Sequence, residues 1–164
     1  MPFTPFHLGP ALLIALVLLP YIDIVAICLG AIIPDIEPAY YLLFTDKGPY
    51  HGFFHSFVGA TILGVISAIV LYPLRKQYLW IIRKFGLEQS TNMKKITASA
   101  FIGTYSHIIL DMFLYPEMKP FYPIQINPFL YALSPANIYG LCTFSFILAL
   151  IVYLIRLFWK RYVS

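Results

Sequence analysis

The sequence predicts an all-α, polytopic membrane helical bundle, and three observations carry that reading. Of 164 residues, 60% are hydrophobic and only 11% are charged. A soluble domain of this size could neither bury so much apolar side chain nor coat itself with so few charges. Three apolar stretches, 52–72, 93–115 and 137–158, each run about 20 residues or more, enough at ~1.5 Å per residue to cross a hydrocarbon core of ~30 Å. Finally, the basic residues are distributed asymmetrically about these stretches. A single integral membrane domain, 1–164, follows, with a plasma-membrane address.

The N-terminal element, 1–33, differs from the other three. Pro20, Tyr21 and Asp23 interrupt its apolar run from Leu8 to Ile33, leaving halves of about 12 residues, or ~18 Å of helix, too short to span. The expectation is a broken helix or re-entrant hairpin that turns near Pro20–Asp23 and brings His7 back to the level of Asp35. No basic residue precedes the run, so it does not read as a cleavable signal peptide. Cys28 and Cys142 lie in apolar runs and read as small hydrophobes, with no disulfide and no metal role.

Orientation follows from counting lysine and arginine. Arg75, Lys76, Arg83, Lys84, Lys94 and Lys95 fall in or beside the loop 73–95, and Arg156, Lys160 and Arg161 at the C-terminal end. Lys47 and Lys119 are the remaining two of eleven. The basic loop and C-terminus are therefore expected in the cytoplasm, and 34–51 and 116–136 on the outer side.

Ionisable residues at membrane depth are functional candidates by default. His51 and His55 are four apart at the start of the first full stretch. His107 and Asp111 repeat that spacing near the end of the second. Because the two helices run in opposite directions, both pairs fall at the outer boundary, as do Asp35 and Glu37. A lone His or Asp at such a boundary is more often a helix cap or a snorkelling group; six that converge point to a metal. Imidazole with carboxylate suits zinc, manganese or iron(II), one or two ions, and such an ion lowers the pKa of a water toward 7. Ser56 reads as a cap or packing residue rather than a nucleophile. Gly59, Gly64 and Gly103 read as close helix contacts. Lys119 is a candidate for holding a phosphate or other anionic group of a substrate.

Four ordered segments carry a family resemblance: Met1-Pro2-Phe3-Thr4-Pro5-Phe6-His7-Leu8-Gly9-Pro10, Pro34-Asp35-Ile36-Glu37-Pro38, His51-Gly52-Phe53-Phe54-His55-Ser56 and Ser106-His107-Ile108-Ile109-Leu110-Asp111. From Met1 to about Pro128 the chain resembles the membrane-bound metal-dependent hydrolases, a family that includes the bacterial LexA-binding inner-membrane proteins. Those relatives show a pattern like His-Arg-Gly-Phe-Thr-His-Ser. Aligned on Gly52 and Ser56, it makes His55 the ligand and puts His51 at the arginine position, second to the metal or facing substrate. The ligand order is also similar to that of the zinc-dependent phospholipase C and P1 nuclease group. That resemblance implies Asp35, His55, His107 and Asp111 around one metal, with Asp111 bridging to a second at His7. The later histidines of those soluble enzymes are absent.

The expected function is hydrolysis of a phosphoester or other ester in a lipid or membrane-associated substrate, with Glu37 or His51 as proton shuttle. The alternative is a non-catalytic metal-binding accessory subunit with membrane protein partners. No nucleic-acid partner is expected. Transport fits poorly, because three spans and a hairpin leave little room for alternating access and no inverted repeat occurs.

Overall fold

The computed structural model describes residues 4–45, 48 and 50–162. Met1–Phe3 of the opening motif, Asp46 and Lys47 lie outside the described residues. Every regular element among the described residues is helical: α1 (Leu8–Val17), α2 (Ile24–Ile32), α3 (Ile36–Phe44), α4 (Phe57–Leu71), α5 (Arg75–Lys84), α6 (Met93–Asp111) and α7 (Pro135–Tyr162). Short 3-10 turns cover Thr4–His7, Ile33–Asp35 and Phe53–His55.

The break near Pro20 has a clear local cause. α1 stops at Val17, and α2 starts at Ile24 because Asp23 caps it: its Oδ1 accepts from the N–H groups of Val25 at 3.1 Å and Ala26 at 3.0 Å. The other carboxylate oxygen accepts from the Tyr78 hydroxyl at 2.9 Å, and the Asp23 N–H donates to Ser99 Oγ at 2.7 Å. The turn is thereby tied to α5 and to the first half of α6.

α6 is the central element, packed against α2 on one side and α4 on the other, while α7 lies along α1. The α2–α6 contact is main chain on main chain. A Cβ on Gly103 would collide with the Ile27 carbonyl oxygen, and one on Gly30 with that of Ala100. α7 leaves Leu141, Phe144, Ile147, Leu150, Leu154 and Phe158 exposed, an apolar face of the kind a membrane covers.

The number of spans differs from the expectation. Ile24–Phe44 and Pro135–Tyr162 are long and apolar enough to cross a membrane; α4 and α5 make a third only if they form one span, bent by 83°. Three full spans plus a hairpin is therefore corrected to two or three candidate spans. The stretch 52–72 shortens because Gly52 to Ser56 form a turn and a cap, leaving 15 residues in α4. The stretch 93–115 stops at Asp111, and its 19 residues include Lys94, Lys95, Ser99, Thr104, His107 and Asp111. The segment 24–44 is the opposite case. The apolar run was expected to end at Ile33, but Pro34 and Pro38 both fall in first turns, where the missing N–H breaks no helical hydrogen bond, so helix continues to Phe44.

Candidate metal centre

The polar residues of the centre are delivered by the ends of four elements. His7 closes the first 3-10 turn, Asp35 the second and His55 the third; His107 and Asp111 stand one turn apart near the end of α6. Since Asp23 turns the chain between α1 and α2, His7 and Asp35 arrive at the same end of the molecule. The basic ends of α5 and α7 lie at the other, a distance set by α6, roughly 24 Å from Lys95 to Asp111.

Asp35, His55, His107 and Asp111 each offer an atom to one point, all within 4.8 Å of one another. The two imidazole Nε2 atoms are 3.4 Å apart. His107 Nε2 is 3.1 Å from Asp111 Oδ2 and 3.5 Å from Asp35 Oδ1. His55 Nε2 is 3.7 Å from Asp35 Oδ1 and 3.9 Å from Asp111 Oδ2. Four ligands at ~2.0–2.2 Å in a tetrahedron stand roughly 3.3–3.6 Å apart, so the spacing suits a transition-metal ion with little adjustment.

The ring tautomers follow from the outer nitrogens. His107 Nδ1 is 2.7 Å from the Ala31 carbonyl oxygen, which can only accept, so Nδ1 carries the proton. His55 Nδ1 is 3.1 Å from Glu37 Oε2, which also accepts from the N–H groups of Gly52 at 3.0 Å and Phe54 at 3.2 Å. In the neutral rings, both Nε2 lone pairs then face each other and two carboxylates with no donor between them. Protons or a metal ion would resolve that arrangement. His55 and His107 are fully buried and Asp111 is 1% exposed.

His7 stands just outside the four. Its ring stacks on His107 at 3.9 Å, and its Nε2 lies 3.2 Å from Asp111 Oδ1, in a direction that makes no hydrogen bond. Both His7 nitrogens and Asp111 Oδ1 are buried with no hydrogen-bond partner. One acceptor nitrogen of His7 together with Asp111 Oδ1 fits a second cation position beside Asp111.

Two other expected residues take different positions. His51 and His55 do not share a helix face, because Gly52 and the turn Phe53–His55 precede α4. Their rings meet edge to face at 4.7 Å. His51 stacks on Tyr115 at 3.6 Å and pairs through Nδ1 with Glu117 Oε1 at 2.8 Å. Burial above all, then the neighbouring His55, lowers the His51 pKa, with Glu117 partly opposing the shift. Glu37 has one oxygen taken up by three donors, which makes it a clasp on the loop 52–55. Ser56 caps α4, accepting from the Gly59 N–H at 3.0 Å.

Lys119 lines a cavity of about 220 Å³ with His51, Gly52, Phe53, Glu117 and Tyr122. Glu117 and Tyr115 had no role in the sequence reading. Glu117, an acid in the same loop as Lys119, was the available signal. The Ala31 carbonyl is a backbone atom and left no signal at all.

An all-helical membrane protein with a buried His/Asp group able to hold a metal ion is the class that fold and site define. Within it, the chain belongs to the YdjM inner membrane protein family, whose model matches residues 2–163. No curated protein and no solved structure matches the chain.

Proposed function

We propose that this protein is a membrane-embedded, metal-dependent hydrolase acting on a phosphoester or other ester of a lipid or membrane-associated substrate. The observation that carries the reading is the pair of Nε2 lone pairs 3.4 Å apart, flanked by two carboxylates in a buried site. Asp35, His55, His107 and Asp111 would hold a divalent ion, with zinc first and manganese or iron(II) next by donor type, and His7 would serve a second through Asp111. Such an ion supplies Lewis acidity and lowers the pKa of a water.

The chain's own residues supply the rest. Glu37 and the Ala31 carbonyl orient the two imidazoles. His51, backed by Glu117, stands between the metal centre and the cavity and is the residue placed to move a proton. Lys119 gives the cavity a positive charge for an anionic group. The chain crosses the membrane more than once, with the basic loop and C-terminus in the cytoplasm and the centre toward the outer face.

Enclosure favours a second reading. Four protein ligands in a nearly closed site describe a structural metal, as in a non-catalytic accessory subunit of a membrane complex. One experiment separates the two: elemental analysis with turnover of a lipid phosphoester panel, for wild type, Asp111→Asn and His51→Gln. Hydrolysis lost in both variants, with metal retained in His51→Gln, supports the enzyme. Metal without turnover of any member supports the accessory subunit. No metal in the wild type sinks both.

A further inference from the structure

At the end of the molecule opposite the metal centre, a groove of about 460 Å³ runs between α1 and α7. Leu12, Leu16, Ile147 and Leu150 are among its walls. Its lining is almost wholly apolar, and Ile147 and Leu150 are 53% and 58% exposed on the lipid-facing side of α7. The loop after α5 closes one end. Gly86 turns that loop with φ +74°, and a Cβ there would meet the Leu157 side chain. The Tyr153 hydroxyl donates to the Phe85 carbonyl at 2.9 Å, and Lys160 Nζ to Glu88 at 2.7 Å, so the loop is pinned to α7.

Two more hollows share walls with the groove at this closed end. One adjoins it at Leu87 and carries Arg156, Trp159 and Lys160; the other adjoins it at Tyr153 and carries Arg83, Lys84 and Arg161, with Lys160 lining both. The rim thus has five cations, Arg83, Lys84, Arg156, Lys160 and Arg161, against one acid, Glu88. Lys84 is engaged over the Trp80 ring at 3.4 Å and Arg161 lies 5.7 Å from the Tyr162 ring, while Arg156 and Lys160 line the hollow that adjoins the groove at Leu87.

An apolar slot with positive charge at one end only has the polarity of an amphiphile. We infer that this groove and its basic rim bind an anionic phospholipid, one acyl chain lying between α1 and α7 and the phosphate meeting Arg156, Lys160 and Arg161. A zwitterionic headgroup does not match the excess of cations, and a free phosphate would leave the slot unfilled. The site is separate from the metal centre and does not depend on the reading of that centre.

The test uses the full chain purified in detergent, with bound lipid counted by native mass spectrometry. Phosphatidylglycerol and phosphatidylcholine with identical chains are compared. One phosphatidylglycerol per chain should be retained, preferred over phosphatidylcholine by about tenfold or more. The preference should vanish in Arg156→Gln/Arg161→Gln, and retention of both lipids should fall in Leu150→Trp, which fills the slot from its exposed side. Glycerol 3-phosphate should not displace the lipid. Equal retention of the two lipids would overturn the inference, as would a preference that survives the double substitution. Displacement by glycerol 3-phosphate, or Leu150→Trp acting only by splitting a dimer of this chain, would do so as well.

Discussion

Asp23 and Asp111 sit near opposite ends of the bundle, are 0% and 1% exposed, and are answered in opposite ways. Asp23 has a protein donor for each oxygen: two backbone N–H groups on one and a phenol on the other. Asp111 faces the imidazoles of His7, His55 and His107, at 3.2, 3.9 and 3.1 Å, and its Oδ1 has no hydrogen-bond partner. Burial of a carboxylate therefore does not separate structure from chemistry; the nature of its partners does. One surrounded by donors is complete, and one facing three imidazoles is answered by the protons or the metal ion those rings share with it.

That contrast is open to direct attack. Asp111→Asn should produce the largest effect, lowering metal affinity about a hundredfold or more while the metal-free fold survives. Elemental analysis reads it, and a variant that keeps its full complement of metal would remove the distinction between the two acids. Asp23→Ala should do the converse. Losing the cap and leaving the Tyr78 hydroxyl and the start of α2 unsatisfied should cost about 2–4 kcal/mol of stability, with metal content unchanged in whatever folds. Denaturant unfolding in micelles measures this; an equal loss of metal would mean that the two ends are coupled.

Smaller changes sharpen the same contrast. Glu37→Gln keeps an acceptor for His55 but removes the charge, and metal affinity should fall roughly ten- to hundredfold. Calorimetry in buffers of different ionisation enthalpy should also show protons released as the metal binds, with affinity weakening as pH falls, because the centre holds protons when it lacks the metal. Glu88→Gln should be nearly silent. The hydrogen bond from Lys160, then its charge, depresses the Glu88 pKa, so any stabilisation exists above the ordinary carboxylate range and fades as pH drops below it. Unfolding curves of wild type and this variant should converge in acid.

Much of the centre was legible because His107 and Asp111 lie on one uninterrupted helix, where spacing translates directly into a shared face. The break before Asp23 was legible for a similarly local reason. The spacing of His51 and His55 misled, since a helix was assumed where Gly52 begins a tight turn and Ser56 a cap. The spans misled too, because the apolar run was closed at Ile33, while Pro34 and Pro38 sit in first turns and helix continues to Phe44. Nothing in the sequence announced the pairing of His51 with Glu117 across 66 positions, or that His107 would lean on a carbonyl of α2. Those contacts exist only once α2, α4 and α6 have packed.

Gly30 and Gly103 give that packing a metrological role. Because main chain meets main chain there, the gap between α2 and α6 is gauged by atoms that have no rotamers to change. The Ala31 carbonyl, next to Gly30, holds His107, one turn beyond Gly103, at 2.7 Å. The aperture between Asp35 on one side and His107 with Asp111 on the other is thus calibrated by a pair of missing side chains, and the radius of any ion it held would be set at a distance from those residues. Gly103→Ala should wedge the gauge open and shift the relative affinity for zinc and the larger manganese toward manganese, which competition between the two ions would register.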